Sequence, residues 1–574
     1  MTSLTKKSGQ KFVRRLSRFS AKAREASIES VEENVISRTS HLRDVRLFIV
    51  EWCCLVLGII LLAIAQASWY SSSYSYSGYV SGGTFTEATL GKVSSLNPLF
   101  ATTNSEKTIA TLLFSGLTKN DYSGHVGLAL AESIDVSDDG KEYLVRLRDN
   151  LYWSDGEPLT ADDVIFTAGL IQNHNINTAY SANLSGVKIR SHDDGILFVL
   201  PSPYSGFESA LDFPILPEHI LGDTDPAQIL ASSFSSNPVS SGPFSFNASQ
   251  SIGNSGEVVV YLSSNQYYYK PQPMLDSFAI HAYPTKDPII TAVNAGTITA
   301  TAELTASDAS QVTSNRFYSR DTTINTAVYA FFNCTMGIFS NSTIRSAVRE
   351  GINIDQVREV LGVVKPVDYP ILDTQTDDIT WPEIPSYNNV HAKEVLSRYE
   401  LTPITLVTTK EDSFILVAEA FAGELRDLGF EVNIMTYDPG QEFIANIIRP
   451  RAYDILIYDV DLGAEPDILA YYHSSQATEN GYNLSNYKNT FADDLILASR
   501  TATDESLRKV KYSNFLSYWV NDVPAIGIYQ TNLTYYYNNN VKIFSEDITL
   551  VSDTDRFAEV EYWSSTKSTL NRTP

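Results

Sequence analysis

Residues 116–166, GLTKNDYSGHVGLALAESIDVSDDGKEYLVRLRDNLYWSDGEPLTADDVIF, hold the most informative pattern in this chain. Asp139-Gly140 precedes an alternation of apolar and polar residues over 143–147. This arrangement predicts a hairpin turn followed by a half-buried strand. Thr160 is followed by two acidic residues and an apolar run, which predicts a helix with Thr160 as its N-cap. The stretch therefore combines strands with a helix.

The same two kinds of pattern continue on the C-terminal side. Short apolar runs predict strands at 258–262 and 278–282. Helical periodicity predicts helices at 340–361 and 413–428. The second helix is followed by Gly429, a residue type that readily takes the left-handed conformation found after helices. Strands mixed with helices, without an internal repeat of fixed length, indicate an α/β protein.

Composition narrows the class of protein. The chain has 574 residues, which is enough for two or more lobes. It carries 42 Lys and Arg against 67 Asp and Glu, for a net charge of −25. Because nucleic-acid binding needs clustered basic residues, this acidity predicts no nucleic-acid partner. Three cysteines, two of them within one apolar run, exclude a disulfide scaffold.

A search for catalytic motifs finds none of the common ones. The chain has no G-x-S-x-G, H-E-x-x-H, P-loop or C-x-x-C motif. Its eight histidines show no metal-ligand spacing. The sequence therefore predicts a protein that is not an enzyme and that has no metal site or cofactor. Catalytic residues brought together from distant positions stay an alternative.

The N-terminal part predicts attachment to a membrane. Residues 1–46 form a basic leader, predicted to be cytoplasmic, and residues 47–67 are apolar with Glu51 as the only charge. A helix of this length spans a hydrocarbon core of about 30 Å, and the basic flank places the N-terminus inside. Residues 68–83 are rich in Ser, Tyr and Gly and predict a tether. Cleavage after Ala67 by a signal peptidase is the alternative.

A family resemblance adds to this interpretation. Four elements of the quoted stretch stand in a fixed order: L-A-E-S at 130–133, D-G-K at 139–141, W-S-D-G-E-P at 153–158 and A-D-D-V at 161–164. S-G-P-F follows at 241–244. This series resembles the oligopeptide- and dipeptide-binding proteins of ABC importers, family 5 (cluster C) of the extracellular solute-binding proteins. The resemblance extends over about residues 82–563.

The resemblance implies a two-lobed, periplasmic-binding-protein-like α/β fold of type II, here preceded by a single transmembrane helix. The two lobes would be joined by a hinge that the chain crosses twice. Lobe I is expected at 84–312 and 530–563, with a small subdomain at about 116–195, and lobe II at 313–529.

The resemblance also implies binding residues. In peptide-binding relatives an Asp of lobe II receives the peptide amine, and the matching stretch here is 458–467. Asp461 is the best match, with Asp459 and Glu465 as alternatives, because the family's Trp is missing and the spacing shifts by one residue. The other expected contacts face the cleft from both lobes: Thr102, Thr103, Asn104 and Phe166 from lobe I, and Asn333, Tyr471, Tyr472, His473, Ser474 and Tyr529 from lobe II.

These expectations combine into one functional hypothesis. A membrane-anchored receptor with an extracellular or periplasmic binding domain captures peptides or peptide-like solutes by hinge closure. It then delivers them to an ABC permease with its ATPase. The alternative is a sensory or docking protein that keeps the receptor fold but signals to a different partner.

Overall fold

The computed structural model of the chain describes residues 46–571 except 174, 177, 182, 254–255, 377, 439 and 544–547. The basic leader predicted at 1–46 therefore lies outside the described residues, apart from Arg46. Internal packing divides the chain into two units, Met1–Gly78 with Ser568–Pro574 and Tyr79–Lys567.

The helix Arg46–Tyr74 contains residues 47–67, for which the sequence predicts a membrane anchor. Its large apolar side chains are exposed, among them Phe48 and Leu62. No helix in the described part of the chain combines the length and the apolarity that a membrane span requires.

Strands and helices alternate through Tyr79–Lys567, as the sequence pattern predicts. The described strands are β1 (Ser75–Val80), β2 (Thr84–Leu90), β3 (Thr118–Asn120), β4 (Val126–Leu128), β5 (Ala131–Val136), β6 (Glu142–Leu147), β7 (Lys188–His192), β8 (Gly195–Val199), β9 (Phe244–Ile252), β10 (Glu257–Ser264), β11 (Ser277–Tyr283), β12 (Ala300–Thr301), β13 (Phe317–Phe332), β14 (Lys365–Pro366), β15 (Ile404–Thr409), β16 (Val432–Tyr437), β17 (Ile455–Asp461), β18 (Ala525–Asn538) and β19 (Thr566–Asn571). The helices after the first are Asn104–Leu113, Ala161–Ile171, Glu218–Leu221, Asp287–Ala295, Ser342–Gly351, Ile354–Glu359, Asn389–Leu396, Asp412–Asp427, Gln441–Phe443, Leu469–Tyr472, Thr490–Arg500 and Glu505–Asp522.

One large sheet runs through the molecule. Its strand order is β16-β15-β17-β13-β18-β12-β2-β11-β10-β9, with β14 paired to β18. The long antiparallel strands β13 and β18 stand at its centre, and their register shifts between Thr323 and Ala327. A separate antiparallel sheet has the order β5-β6-β8-β7. The predicted Asp139-Gly140 turn connects β5 to β6 in that sheet, which confirms the hairpin.

Buried side chains form separate cores on the two sides of the β13–β18 pair. One core draws its residues from Phe85–Ala300 and from Tyr535–Trp563. Two others draw theirs from within Ala327–Tyr529. The protein is therefore a two-lobed α/β structure, and we call these parts lobe I and lobe II. The limits predicted for the lobes, the tether and the small subdomain stay predictions.

The prediction of a single helix at 340–361 is partly wrong. The structure has two helices there, Ser342–Gly351 and Ile354–Glu359. The interruption occurs because the side chain of Asn353 accepts a hydrogen bond from the backbone N–H of Gln356 at 3.3 Å, which starts a new helix. The second predicted helix is confirmed as Asp412–Asp427.

The motif residues of the quoted stretch form a structural network in lobe I. The carboxylate of Asp163 accepts hydrogen bonds from the indole Nε1 of Trp153 at 3.3 Å, from the backbone N–H of Thr160 at 2.8 Å and from that of Glu218 at 2.8 Å. Trp153 is completely buried. The predicted N-cap at Thr160 is confirmed, and Asp163 completes a capping box. These contacts fix the position of helix Ala161–Ile171.

Candidate functional site

A cavity of about 890 Å³ lies between lobe I and lobe II. Its lobe I wall is formed by helix Asn104–Leu113, the segment that follows it and the loop around Asp212. The C-terminal return at 551–558 adds to that wall, and residues 461–471 form much of the opposite one. A volume in this range is typical of sites for small ligands, which span roughly 300–1,000 Å³.

Asp461 enters the cavity from lobe II, where it is the last residue of β17. Its carboxylate accepts a hydrogen bond from the backbone N–H of Gly463 at 3.0 Å. The Tyr471 hydroxyl donates to the backbone carbonyl of Asp461. The Asp461 side chain is exposed to the cavity, and desolvation by the surrounding walls raises its pKa, whereas the Gly463 hydrogen bond and the positive charge of Lys107 oppose that rise. The turn therefore holds a partly desolvated carboxylate in the wall, where a cationic group would stabilise its ionised form.

Two further carboxylates, which the sequence analysis missed, line the lobe I side. Asp212 follows a short turn of helix, and its side chain accepts no hydrogen bond from any other described residue. The Asp212 side chain is exposed to the cavity, and desolvation by the surrounding walls, together with the nearby charges of Asp555 and Asp461, raises its pKa to about 7. The carboxylate of Asp555 accepts hydrogen bonds from the backbone N–H of Ser552 at 2.7 Å and from the amide of Asn120 at 3.2 Å.

The basic groups of the cavity wall differ in how far they are engaged. Lys119 donates a hydrogen bond to the carbonyl of Ala558, and burial lowers the pKa of Lys119 to about 8. The guanidinium of Arg500 lies 3.5 Å from the carboxylate of Asp467. Lys107 is exposed to the cavity and forms no ion pair within the described part of the chain.

Lobe I and lobe II touch each other at one edge of the cavity. The guanidinium of Arg500, at the end of helix Thr490–Arg500, lies over the ring of Tyr204 at 4.0 Å. The backbone N–H of Ser205 donates to the carbonyl of Arg500 at 3.0 Å. The carbonyl of Tyr204 accepts from the Tyr143 hydroxyl at 2.8 Å, which ties this contact to β6. We call the Tyr204–Ser205–Arg500 contact the edge contact; it joins the lobes without any ligand.

Of the residues expected to contact a ligand, Asp461 and Tyr471 lie in the cavity wall, together with the alternative Glu465. Glu465 is exposed to the cavity, and desolvation by the surrounding walls raises its pKa. Asp459 lies two residues earlier on β17 and is half-buried outside the wall.

The four expected residues of lobe I have other partners. Thr102 donates to the Glu106 carboxylate at 3.1 Å, and Thr103 forms the capping box of helix Asn104–Leu113. The Asn104 amide donates to the carboxylate of Glu303 at 3.0 Å. The ring of Phe166 packs against the core of lobe I. The structure does not bring these four side chains into the cavity wall.

The remaining expected residues of lobe II also lie outside the wall. Asn333 is completely buried, and its amide donates to the carbonyls of Arg451 and Tyr453, both at 3.2 Å. The other four contribute to packing or to local turns: Tyr472 and Tyr529 are buried in the lobe II cores, the His473 ring bonds to Ser475, and the Ser474 backbone N–H donates to Asp493.

No group of side chains in the described residues has the composition of a metal site. What the cavity offers instead is a set of carboxylates from both lobes, with hydroxyl and apolar surfaces between them. Such a wall can bind a positively charged group and can hold polar chain atoms nearby.

The amino-acid sequence is similar to a known protein family and to a known protein. The sequence profile of the bacterial extracellular solute-binding proteins, family 5 (middle region), matches residues 125–483. The oligopeptide-binding protein AppA of Bacillus subtilis is 27% identical, in an alignment that covers 79% of this chain and 87% of AppA.

Two solved structures have the same fold. The structure of AppA from Bacillus subtilis in complex with a nonapeptide has a TM-score of 0.70 at 24% identity, covering 85% of this chain and 99% of AppA. NikZ from Campylobacter jejuni, in complex with Ni(L-His), has a TM-score of 0.71 at 20% identity, covering 84% and 99%.

Proposed function

This chain belongs to family 5 of the bacterial extracellular solute-binding proteins, and we propose that it captures peptides or peptide-like solutes for an ABC transporter. The ligand would be held in the cavity between lobe I and lobe II and delivered to a permease with its ATPase. The relatives support this proposal, because AppA is named as oligopeptide-binding and its structure contains a nonapeptide.

The observation that carries the proposal is a cavity of about 890 Å³ with carboxylates in both walls. A peptide presents one constant positive charge, its terminal ammonium, and Asp461 is the group we assign to it. An ammonium held by this carboxylate forms a charge-assisted hydrogen bond, worth about 1.5–3 kcal/mol. Tyr471 adjoins the same position. Asp459 and the expected residues that do not line the cavity are left out of the assignment.

Hinge closure is the second part of the proposal. The lobes are joined through the antiparallel strands β13 and β18, whose register shifts between Thr323 and Ala327. An irregularity of this kind bends a strand locally. Each lobe has its own buried core, so bending there leaves both cores intact. A ligand that touches both walls then stabilises the closed form.

Membrane attachment is the third part. Helix Arg46–Tyr74 exposes apolar side chains along residues 47–67, with Leu62 71% and Leu57 61% exposed. Apolar surface of this extent is unfavourable in water, at about 25 cal/mol per Å². We propose a single-pass anchor with a cytoplasmic N-terminus and an extracellular or periplasmic binding domain. Carbonate extraction tests it: the full chain is expected in the membrane pellet. Release into the supernatant, or a mature N-terminus at Ser68, would contradict it.

Isothermal titration of the full chain in detergent with pools of short peptides tests the central proposal. We expect saturable binding at one site per molecule. Folded protein that binds no peptide in any pool would refute the proposal. Affinity capture from the native membrane tests the partner: recovery of a permease and its ATPase is expected, whereas recovery of a signalling protein in their place would favour a sensory role.

A further inference from the structure

The charges in the cavity wall do not balance. Asp467 forms an ion pair with Arg500 at 3.5 Å, so these two opposite charges offset each other within the wall. Four other carboxylates remain, and they are opposed by two lysines: Asp212, Asp461, Glu465 and Asp555, against Lys107 and Lys119. Lys119 is already engaged by the Ala558 carbonyl and loses its proton readily. The empty cavity is therefore negative by at least two charges when these groups are ionised.

One terminal ammonium neutralises only part of this excess. If the ammonium lies at Asp461 in the lobe II wall, the carboxylates of the lobe I wall keep their charge. Among them, Asp555 is stabilised by hydrogen bonds from Ser552 and Asn120. Asp212 has no such partner among the described residues. A ligand that covers an ionised, unpartnered carboxylate and excludes water from it leaves an uncompensated charge, which is unfavourable.

We infer that this cavity selects peptides with a second positive charge, and that Asp212 is the residue that recognises it. The inference rests on the proposed function, since it concerns the same cavity. The ligand class is a short peptide whose terminal ammonium lies at Asp461 and whose Lys or Arg side chain lies at Asp212. A cation of this kind pairs with the lobe I wall carboxylate that accepts no hydrogen bond from another described residue. In the lobe II wall the Glu465 carboxylate has no described hydrogen bond either, and it lies on the same wall as the ammonium site at Asp461.

A neutral side chain at the same place gains no such pair. It covers Asp212 without pairing it, and Asp212 then takes up a proton, which costs little near neutral pH because the pKa of Asp212 is about 7. The discrimination therefore comes mainly from the favourable complex with the charged side chain. We expect a charged side chain to bind at least about tenfold more tightly than a neutral one of similar size, as for a charge-assisted hydrogen bond.

Matched peptides isolate the second charge from the first. The probes are tetrapeptides of alanine with Lys at one position from the second to the fourth, each compared with its Nε-acetyl-lysine counterpart. Both members of a pair keep the terminal ammonium, so only the side-chain charge differs. Titration calorimetry of the full chain gives the affinity ratio within each pair.

Two variants separate recognition from folding. Asp212→Asn removes the charge at nearly constant size, and Glu208→Gln is the control, because Glu208 lies on the same turn but outside the cavity wall. We expect the wild type and Glu208→Gln to prefer the Lys peptide by about tenfold or more at one position. Asp212→Asn should lose that preference while it binds the acetylated peptide at least as well as the wild type. Thermal unfolding checks that both variants are folded.

The outcomes distinguish the two proposals. Equal affinities for the Lys and acetyl-lysine peptides in the wild type would overturn this inference and leave peptide capture intact. A preference that persists in folded Asp212→Asn would overturn the role of Asp212. Binding of neither peptide set by folded wild-type protein would overturn the proposed function and this inference with it.

Discussion

Replacing Asp461 by Asn tests the assignment of the peptide ammonium most sharply. The amide keeps an oxygen that can accept the 3.0 Å hydrogen bond from the Gly463 backbone N–H, so the turn is retained while the charge is lost. A charge-assisted hydrogen bond contributes about 1.5–3 kcal/mol. The dissociation constant of a free-amine peptide should therefore rise by roughly 10- to 150-fold. Titration calorimetry measures it directly.

A blocked peptide completes a double-mutant cycle. N-terminal acetylation removes the ligand's charge, so the acetylated peptide should bind the wild type more weakly and should respond little to Asp461→Asn. Asp459→Asn is the matched control, because it changes the same residue type on the same strand, outside the cavity wall. If Asp461→Asn weakens both peptides equally, or if Asp459→Asn has the larger effect, the ammonium does not lie at Asp461.

Three further predictions follow from the charged groups. Because the pKa of Asp212 is raised to about 7, the ionised fraction of Asp212 grows roughly fivefold from about pH 6 to about pH 7. Calorimetry should show the affinity for Lys-containing peptides growing by a similar factor, and an affinity that does not change with pH would contradict the role of Asp212. Tyr204→Leu removes the ring that Arg500 covers at 4.0 Å but leaves the Arg500–Asp467 ion pair in the cavity wall. It should weaken all peptides by a similar factor, whatever their charge, and a loss confined to one peptide class would speak against a general effect on closure. Arg556→Met removes the guanidinium that pairs with the buried Glu87 carboxylate at 2.8 Å, and it should lower the free energy of unfolding by about 3–5 kcal/mol. Urea titration measures this loss, and a loss below about 1 kcal/mol would show that the ion pair is dispensable.

The sequence predicts the fold well where local patterns decide it. The Asp139-Gly140 turn, the Thr160 N-cap and the helix at 413–428 depend on residues close together in the chain, and the structure confirms all three. The helix predicted at 340–361 is wrong at one point, because the periodicity continues across Asn353 although its side chain caps a new helix.

The site is harder to predict, because its residues come from distant parts of the chain. Asp212 and Asp555 line the same cavity but are more than three hundred residues apart in the chain. Each is part of a short helical turn that has no recognisable sequence pattern. Neighbouring residues also diverge: Tyr471 lies in the cavity wall, whereas Tyr472 is buried against Trp519. Only tertiary packing decides which of two adjacent tyrosines faces a ligand.

Capture between two lobes is tested most directly by small-angle X-ray scattering of the unit Tyr79–Lys567, with and without a saturating peptide that calorimetry has shown to bind. The account predicts that the radius of gyration falls when the peptide is added. A peptide that binds at one site while the radius of gyration stays unchanged would contradict closure of the lobes around the ligand.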